Sequence, residues 1–255
     1  AHFEGFGSFE GIVKAKTELY EHLGKTNGIA FYNEKDPLLS EKIYKLVNRA
    51  VPFSHPTGVS LSVEPEQTGL NLSVNASYQN QTYRITTNLF GQFNLENIRA
   101  AIATGLTLGV EMNTIVSALE KYTPDNNRSQ VKLSKNNILI CDSYNANPTS
   151  MQLILQSFAE IGTPKTMCIL GDMLELGEKS EEEHIRVINM LKEYKFSDVL
   201  LAGPVFCKVS AGSGFKSFPD VNKLKDFLKE KQLRGYHILI KGSRGMALEK
   251  IYRLL

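Results

Sequence analysis

An α/β fold is predicted, its second half a doubly wound, mostly parallel sheet. Three observations point there. From about residue 137 onward, short apolar runs alternate with helical patterns, the signature of strand–helix–strand units. Those runs, such as "MCIL", "DVLLA" and "HILIK", are continuously apolar, as strands covered on both faces must be. The first half differs: "GVSLSV", "GLNLSVNASY" and "QTYRITTNL" alternate apolar and polar residues, which suits antiparallel strands with one wet face.

The elements follow in chain order. Residues 9–23 read as a helix, 28–33 as a short strand and 35–47 as a second helix. The period-two region spans 58–90, with breaks expected at Pro65 and at Gln79-Asn80. After Gly91, "NLENIRAAIATGLTLGV" places apolar residues at helical spacing and a glycine near its end. One more helix covers 113–122. The segment "TPDNNRSQ", 123–130, is polar and turn-forming, so a domain boundary is placed there, giving domains 1–124 and 125–255. Beyond it come strand 137–142, helix 149–160, strand 166–171, helix 180–194, strand 198–202, helix 221–230, strand 236–241 and helix 245–254. "SAGSGF" at 210–215 is glycine-rich but opens no helix, and reads as a loop.

Composition narrows the function classes. The 255 residues are 42% hydrophobic and 22% charged, values of a soluble globular protein able to bury a full core. A formal charge of +2 and the lack of a long basic stretch argue against a nucleic-acid partner. No apolar run has the length of a membrane span, and no basic-then-apolar leader is present. Cys141, Cys168 and Cys207 lack metal-ligand spacing; two of them lie in strand-like runs, as reduced core thiols of a cytoplasmic protein would. The chain opens "AHFEGFGSFEG", without Met, which reads as a strand leaving into a loop and as a truncated polypeptide.

The strand ends of the second half carry the chemistry. Strand 137–142 runs into Asp142, Ser143, Tyr144 and Asn145. Strand 166–171 runs into "GDMLELG", with Asp172 and Glu175. Strand 236–241 runs into "KGSRGM", with Lys241, Ser243 and Arg244. One aspartate or serine at a strand end is ordinarily a cap or a turn. Three sets on one edge of a parallel sheet mark the place where such folds bind ligands. Acidic and basic groups together there suit a ligand bearing both an amine and a carboxylate. There is no G-x-x-x-x-G-K-[ST] loop, no strand-borne G-x-G-x-x-G and no nucleophile elbow. His55 and His237 read as ordinary surface or core residues.

"AHFEGFGSFEGIVKAKTELY", "FNLENIRAA", "DSYNANPTSM", "LGDMLELGEKSEEEH" and "IKGSRGM" resemble, in that order, motifs of the Mur ligase family. The resemblance spans essentially the whole chain. It implies the latter part of a central ATPase domain, followed by a Rossmann-like C-terminal ligase domain, with the phosphate loop upstream and the isolated chain inactive. It further implies an ATP- and Mg²⁺-dependent amide-bond ligase of peptidoglycan precursor synthesis. Such an enzyme phosphorylates a carboxylate and lets an amine attack the acyl phosphate. The "KGSRGM" and "LGDMLELG" segments point to D-alanyl-D-alanine as acceptor and to a UDP-N-acetylmuramoyl-tripeptide as donor, in a monomer. A sister ligase with another amino-acid acceptor, and a non-catalytic nucleotide- or partner-binding module, remain the alternatives.

Residue by residue, the resemblance makes His2 a metal ligand and Lys16 the lysine that the family carbamylates, whose anionic oxygens would organise Mg²⁺. Lys14, two residues away, reads as solvated surface. Asn94 and Asn97 would approach the adenine, with an N-cap and a helix-face polar as the alternative. Phe93 stands where the family has His, which leaves that position to stacking or packing. Arg128 would reach the ATP phosphates and Asp142 the ribose hydroxyls, with Asn145 beside them. For the acceptor, Asp172, and after it Glu175, would face the amine. Arg244 and Ser243 would face the carboxylate, and Lys241 would serve the carboxylate or the acyl phosphate.

Overall fold

The structure is a computed structural model that describes residues 7–66 and 69–255. The chain separates into two compact units: Leu89–Gly91 with Thr123–Leu255, and the described residues up to Asn88 with Gln92–Tyr122.

In the N-terminal unit, α1 (Phe9–Thr26) is started by Ser8, whose side chain accepts from the Gly11 amide, and ended by Asn27 in the left-handed conformation. Strand β1 (Ile29–Tyr32) pairs in parallel with β2 (Arg49–Pro52) across α2 (Pro37–Leu46). Asp36 caps α2, and Pro37 occupies its first turn. The period-two region forms β3 (Leu61–Glu66), β4 (Asn71–Tyr78) and β5 (Gln81–Phe90). Pro65 does not break β3: it lies opposite Val74 at the end of the strand order, where an edge strand tolerates a missing amide. Gln79 and Asn80 do turn the chain, both at positive φ. Helices α3 (Leu95–Thr107) and α4 (Met112–Lys121) complete the unit.

In the C-terminal unit the strand order is β10–β9–β8–β11–β7–β6, with Leu89 at the end of β5 paired to Gln130. Here β6 is Gln130–Leu133, β7 Ile138–Asp142, β8 Thr166–Gly171, β9 Asp198–Ala202, β10 Lys216–Phe218 and β11 His237–Lys241. All neighbouring pairs from β10 to β7 are parallel, and only β6 runs antiparallel to β7. Helices α5 (Pro148–Ala159), α6 (Ser180–Glu193), α7 (Pro204–Val209) and α8 (Val221–Lys229) connect them. Ile140, Cys168, Ile169, Leu170, Leu239 and Ile240 are fully buried, as continuous apolar strands require. Phe158 of α5 lies between Phe90 and Phe196 at centroid distances of 6.4 and 5.6 Å.

Two further expectations change. The expected helix 245–254 is a pair of 3₁₀ segments, Arg244–Met246 and Leu248–Leu254, separated by Ala247 at φ 50°. Ala247 in the left-handed region breaks any continuous helix through the segment, and Leu248 and Ile251 are buried together beyond it. Strands β2, β6 and β10 and the six-residue α7 are additional; each is too short to show a period in sequence.

Candidate active site

Because β7, β11 and β8 are parallel and adjacent, their C-terminal ends lie side by side. The register sets Lys241 opposite Asp142 on one side and Leu170 on the other. The three polar strand ends therefore share one edge. Gly171 and Gly242 follow from this closeness: a Cβ on Gly242 would come within 3.0 Å of the Gly171 Cα.

The first cluster is ionic. Lys241 is 1% exposed, and an isolated buried ammonium is unstable without a partner. Its Nζ donates to Asp142 Oδ2 at 2.5 Å and to the Asn145 carbonyl at 3.0 Å. Asp142 Oδ1 accepts from the Ser129 amide at 2.8 Å. The Tyr144 amide donates to the Asn127 carbonyl, and the Arg128 guanidinium lies 3.9 Å from the centre of the Tyr144 ring. Arg128, Tyr144 and Asn145 are exposed, so this edge presents a cation on an aromatic ring in the same cluster as the Lys241–Asp142 pair. Ser143 points inward, sharing a 2.7 Å hydrogen bond with the Tyr252 hydroxyl. Burial holds the Tyr252 phenol above its ordinary value and pushes the adjacent Cys141 thiol up to about 11, so that thiol is inert.

The second cluster is built on backbone amides. Asp172 is fully buried; its Oδ2 accepts from Val205 and its Oδ1 from Phe206, both at 2.9 Å. These are free amides of the first turn of α7, behind Pro204. Gly203 is required there. It has φ 127°, and a Cβ would fall 2.3 Å from the Asp172 carboxyl carbon. The expectation that Asp172 faces an ammonium is corrected: its carboxylate is enclosed and tied to amides. Lys241 is likewise enclosed, and faces Asp142 rather than an acceptor. Ser243 does not cap the segment after it, because its hydroxyl accepts from the Leu174 amide at 2.8 Å.

His184 completes this cluster. The Met173 amide donates to its Nε2 at 3.0 Å, and its Nδ1 lies 2.6 Å from the Ser180 carbonyl. A donor at Nε2 places the ring proton on Nδ1, so the imidazole is neutral. Burial holds its pKa below 6.5 in the same direction. The 3.6 Å approach to Asp172 is therefore no ion pair. Serine, histidine and aspartate side chains together fix residues 172–174, leaving Leu174 and Glu175 exposed, the latter at φ 66°. Arg244 is also exposed, 3.7 Å from Glu249. His184 shows one sequence signal: it shares the buried face of α6 with Val187, Ile188 and Leu191, at spacings of three, four and seven.

In the N-terminal unit, Asn94 is buried at the start of α3, and its Oδ1 accepts from Asn97 Nδ2 at 3.0 Å. Arg99, 4% exposed, bridges Glu34 and Glu96 at 2.7 and 2.6 Å. Burial raises the Glu34 carboxyl, but hydrogen bonds from its own backbone and from Arg99 outweigh that and hold it low. Lys16 is exposed on α1, as is Lys14. His2 lies outside the described residues.

Residues 1–105 match the Mur ligase middle domain, and residues 127–244 match the Mur ligase, glutamate ligase domain. The chain belongs to the Mur ligase family. This Mur ligase chain is 31% identical over 269 residues to the UDP-N-acetylmuramoyl-tripeptide–D-alanyl-D-alanine ligase of Escherichia coli (strain K12), covering 100% of this chain and 58% of that protein. The enzyme of the same name from Bacillus subtilis (strain 168) is 28% identical and covers 99% of this chain and 56% of that one. The crystal structure of MurF from Acinetobacter baumannii superposes with a TM-score of 0.79 at 26% identity, over 98% of this chain and 56% of that chain. MurF ligase from Thermotoga maritima, solved in complex with ADP, shares the fold at a TM-score of 0.81 and 23% identity, over 100% of this chain and 58% of that chain. The chain thus spans a little over half the length of the relatives it matches.

Among the described residues, no helix is long and apolar enough to cross a membrane.

Proposed function

We propose that this Mur ligase chain is the adenine-contacting and acceptor-binding part of an ATP-dependent ligase. That ligase joins D-alanyl-D-alanine to a UDP-N-acetylmuramoyl-tripeptide, as a monomer in the cytoplasm. Residues 1–124 would be the latter part of its ATP-binding domain, and 125–255 its Rossmann-like ligase domain. The observation that carries the reading is the match, from end to end of this chain, to curated relatives named for that reaction.

The site geometry supports a division of labour. Arg128, 3.9 Å from the centre of the Tyr144 ring and exposed, would bring its N–H groups to phosphate oxygens. Asp142 and Asn145 belong to the same cluster, and the 14% exposure of the Asp142 side chain leaves an edge for a ribose hydroxyl. At the helix start, exposed Asn97 donates to Asn94 and keeps its amide oxygen for a purine, while buried Asn94 would hold it in place. On the acceptor side, exposed Arg244 suits a carboxylate, and exposed Glu175 takes over the amine role from the enclosed Asp172. Ser243 and Lys241 hold the loops that carry these groups.

Among the described residues, no three His, Cys, Asp or Glu side chains converge on a metal site. Mg²⁺ and His2 therefore stay part of the proposal without a step assigned to them. Lys16 enters as the candidate for carbamylation.

The test is phosphate release from ATP by the ligase containing this chain, with UDP-N-acetylmuramoyl-tripeptide present. Release should depend on added D-alanyl-D-alanine. Release that instead follows diaminopimelate or lysine with the shorter UDP-muramoyl-dipeptide would assign a sister ligase. No release with any acceptor would leave a non-catalytic module.

A further inference from the structure

We propose that Lys241 is a positioning residue that, acting through Asp142, holds Arg128 on the face of Tyr144. Its consequence for ATP rests on the nucleotide reading above; the positioning itself does not.

The turn that carries Arg128 is in a conformation that its own residues do not favour. Asn127 and Ser129, on either side, have φ of 56° and 49°. Asparagine tolerates the left-handed region; serine does so only when its surroundings impose it. Three hydrogen bonds impose it here. The Ser129 amide donates to Asp142 Oδ1 at 2.8 Å, the Phe90 amide donates to the Ser129 carbonyl at 3.0 Å, and the Tyr144 amide donates to the Asn127 carbonyl at 3.2 Å.

One ammonium reaches both sides of this arrangement. Lys241 Nζ bonds Asp142, which holds the turn carrying Arg128. It also bonds the Asn145 carbonyl, in the loop carrying Tyr144. The guanidinium and the ring thus meet at 3.9 Å because two loops hang from a single buried group. Among the described residues Arg128 has no carboxylate partner, so the held cation keeps its N–H groups for an anion. A free arginine must lose its rotamer freedom when it binds; one already stacked loses less.

The experiment compares the wild-type chain with Lys241→Met and Asp142→Asn. The first removes the ammonium; the second keeps size and removes the charge that the ammonium holds, and serves if the first fails to fold. In the ¹H–¹⁵N spectrum, the Arg128 Nε–H resonance should carry an upfield ring-current shift, identified by its loss in Arg128→Lys. That shift should disappear in Lys241→Met and shrink in Asp142→Asn, with faster exchange of the Ser129 amide. In the ligase containing this chain, Lys241→Met and Arg128→Ala should each raise the ATP KM by about tenfold, the equivalent of about 1.4 kcal/mol. The double variant should be no worse than either single one. An Arg128 shift that persists in both variants overturns the positioning role. A lost shift with an ATP KM unchanged in all variants, Arg128→Ala included, upholds the positioning and overturns the nucleotide reading.

Discussion

Asp142 and Asp172 make an instructive pair. Each stands at the C-terminal end of a buried parallel strand, on the same edge of the same sheet, and both carboxylates use both oxygens. Asp142 is balanced by a buried ammonium placed opposite it by the β11–β7 register. Asp172 is balanced by amides of a helix start, where the backbone carries a partial positive charge. The same residue type is held in one place by a side chain and in the other by the backbone. The first arrangement can be dismantled by one substitution, whereas the second keeps its donors whatever side chains Val205 and Phe206 carry.

That contrast sets the order of expected effects. Lys241→Met should cost the most, about 3–5 kcal/mol of unfolding free energy, because it leaves the Asp142 charge largely buried and unpaired. Asp172→Asn should cost less, about 1–3 kcal/mol, since its amide oxygen still accepts one of the two bonds. Urea melts of the three chains give both numbers. If Asp172→Asn proves the more damaging, the backbone-held carboxylate is the stronger anchor and the contrast is reversed.

A smaller effect separates the clusters by pH. His184 has a folded pKa held below 6.5 by burial, so the unfolded chain takes up its proton first as pH falls. Its stabilising contribution is complete above the unfolded pKa and is lost as pH drops through the folded one. Between about pH 8 and pH 5, the melting temperature of wild type should fall more than that of His184→Gln, which cannot titrate. Parallel curves would mean that the imidazole is as accessible to protons in the folded chain as in the unfolded one.

The sheet was readable because its strands are apolar on both faces; strands 166–171 and 198–202 match residue for residue. The shared edge was readable too, since parallel strands necessarily end together. What sequence hid was the direction of each polar side chain. Asp142 and Lys241 are 99 residues apart, and only the register reveals that they meet. Asp172 reads as an exposed strand-end acid because its donors, Val205 and Phe206, sit in a helix too short to announce itself. Tyr144 was visible in its cluster but gained a role only from the guanidinium lying on it. Arg99 stands in line with the buried Ile102, Ala103 and Leu106 of α3, a pattern that marks a buried cation once its two glutamates are known.

In the proposed function this one edge serves two ligands: nucleotide at the loops after β7, and acceptor at the loops after β8 and β11. Arg244→Lys in the ligase containing this chain tests it most directly, with KM measured for ATP and for D-alanyl-D-alanine. Lysine keeps the charge and loses the planar fork. The dipeptide KM should rise by about tenfold, equivalent to about 1.4 kcal/mol, and the ATP KM should stay put. A raised ATP KM with an unchanged dipeptide KM would contradict the account and assign the loop after β11 to the nucleotide.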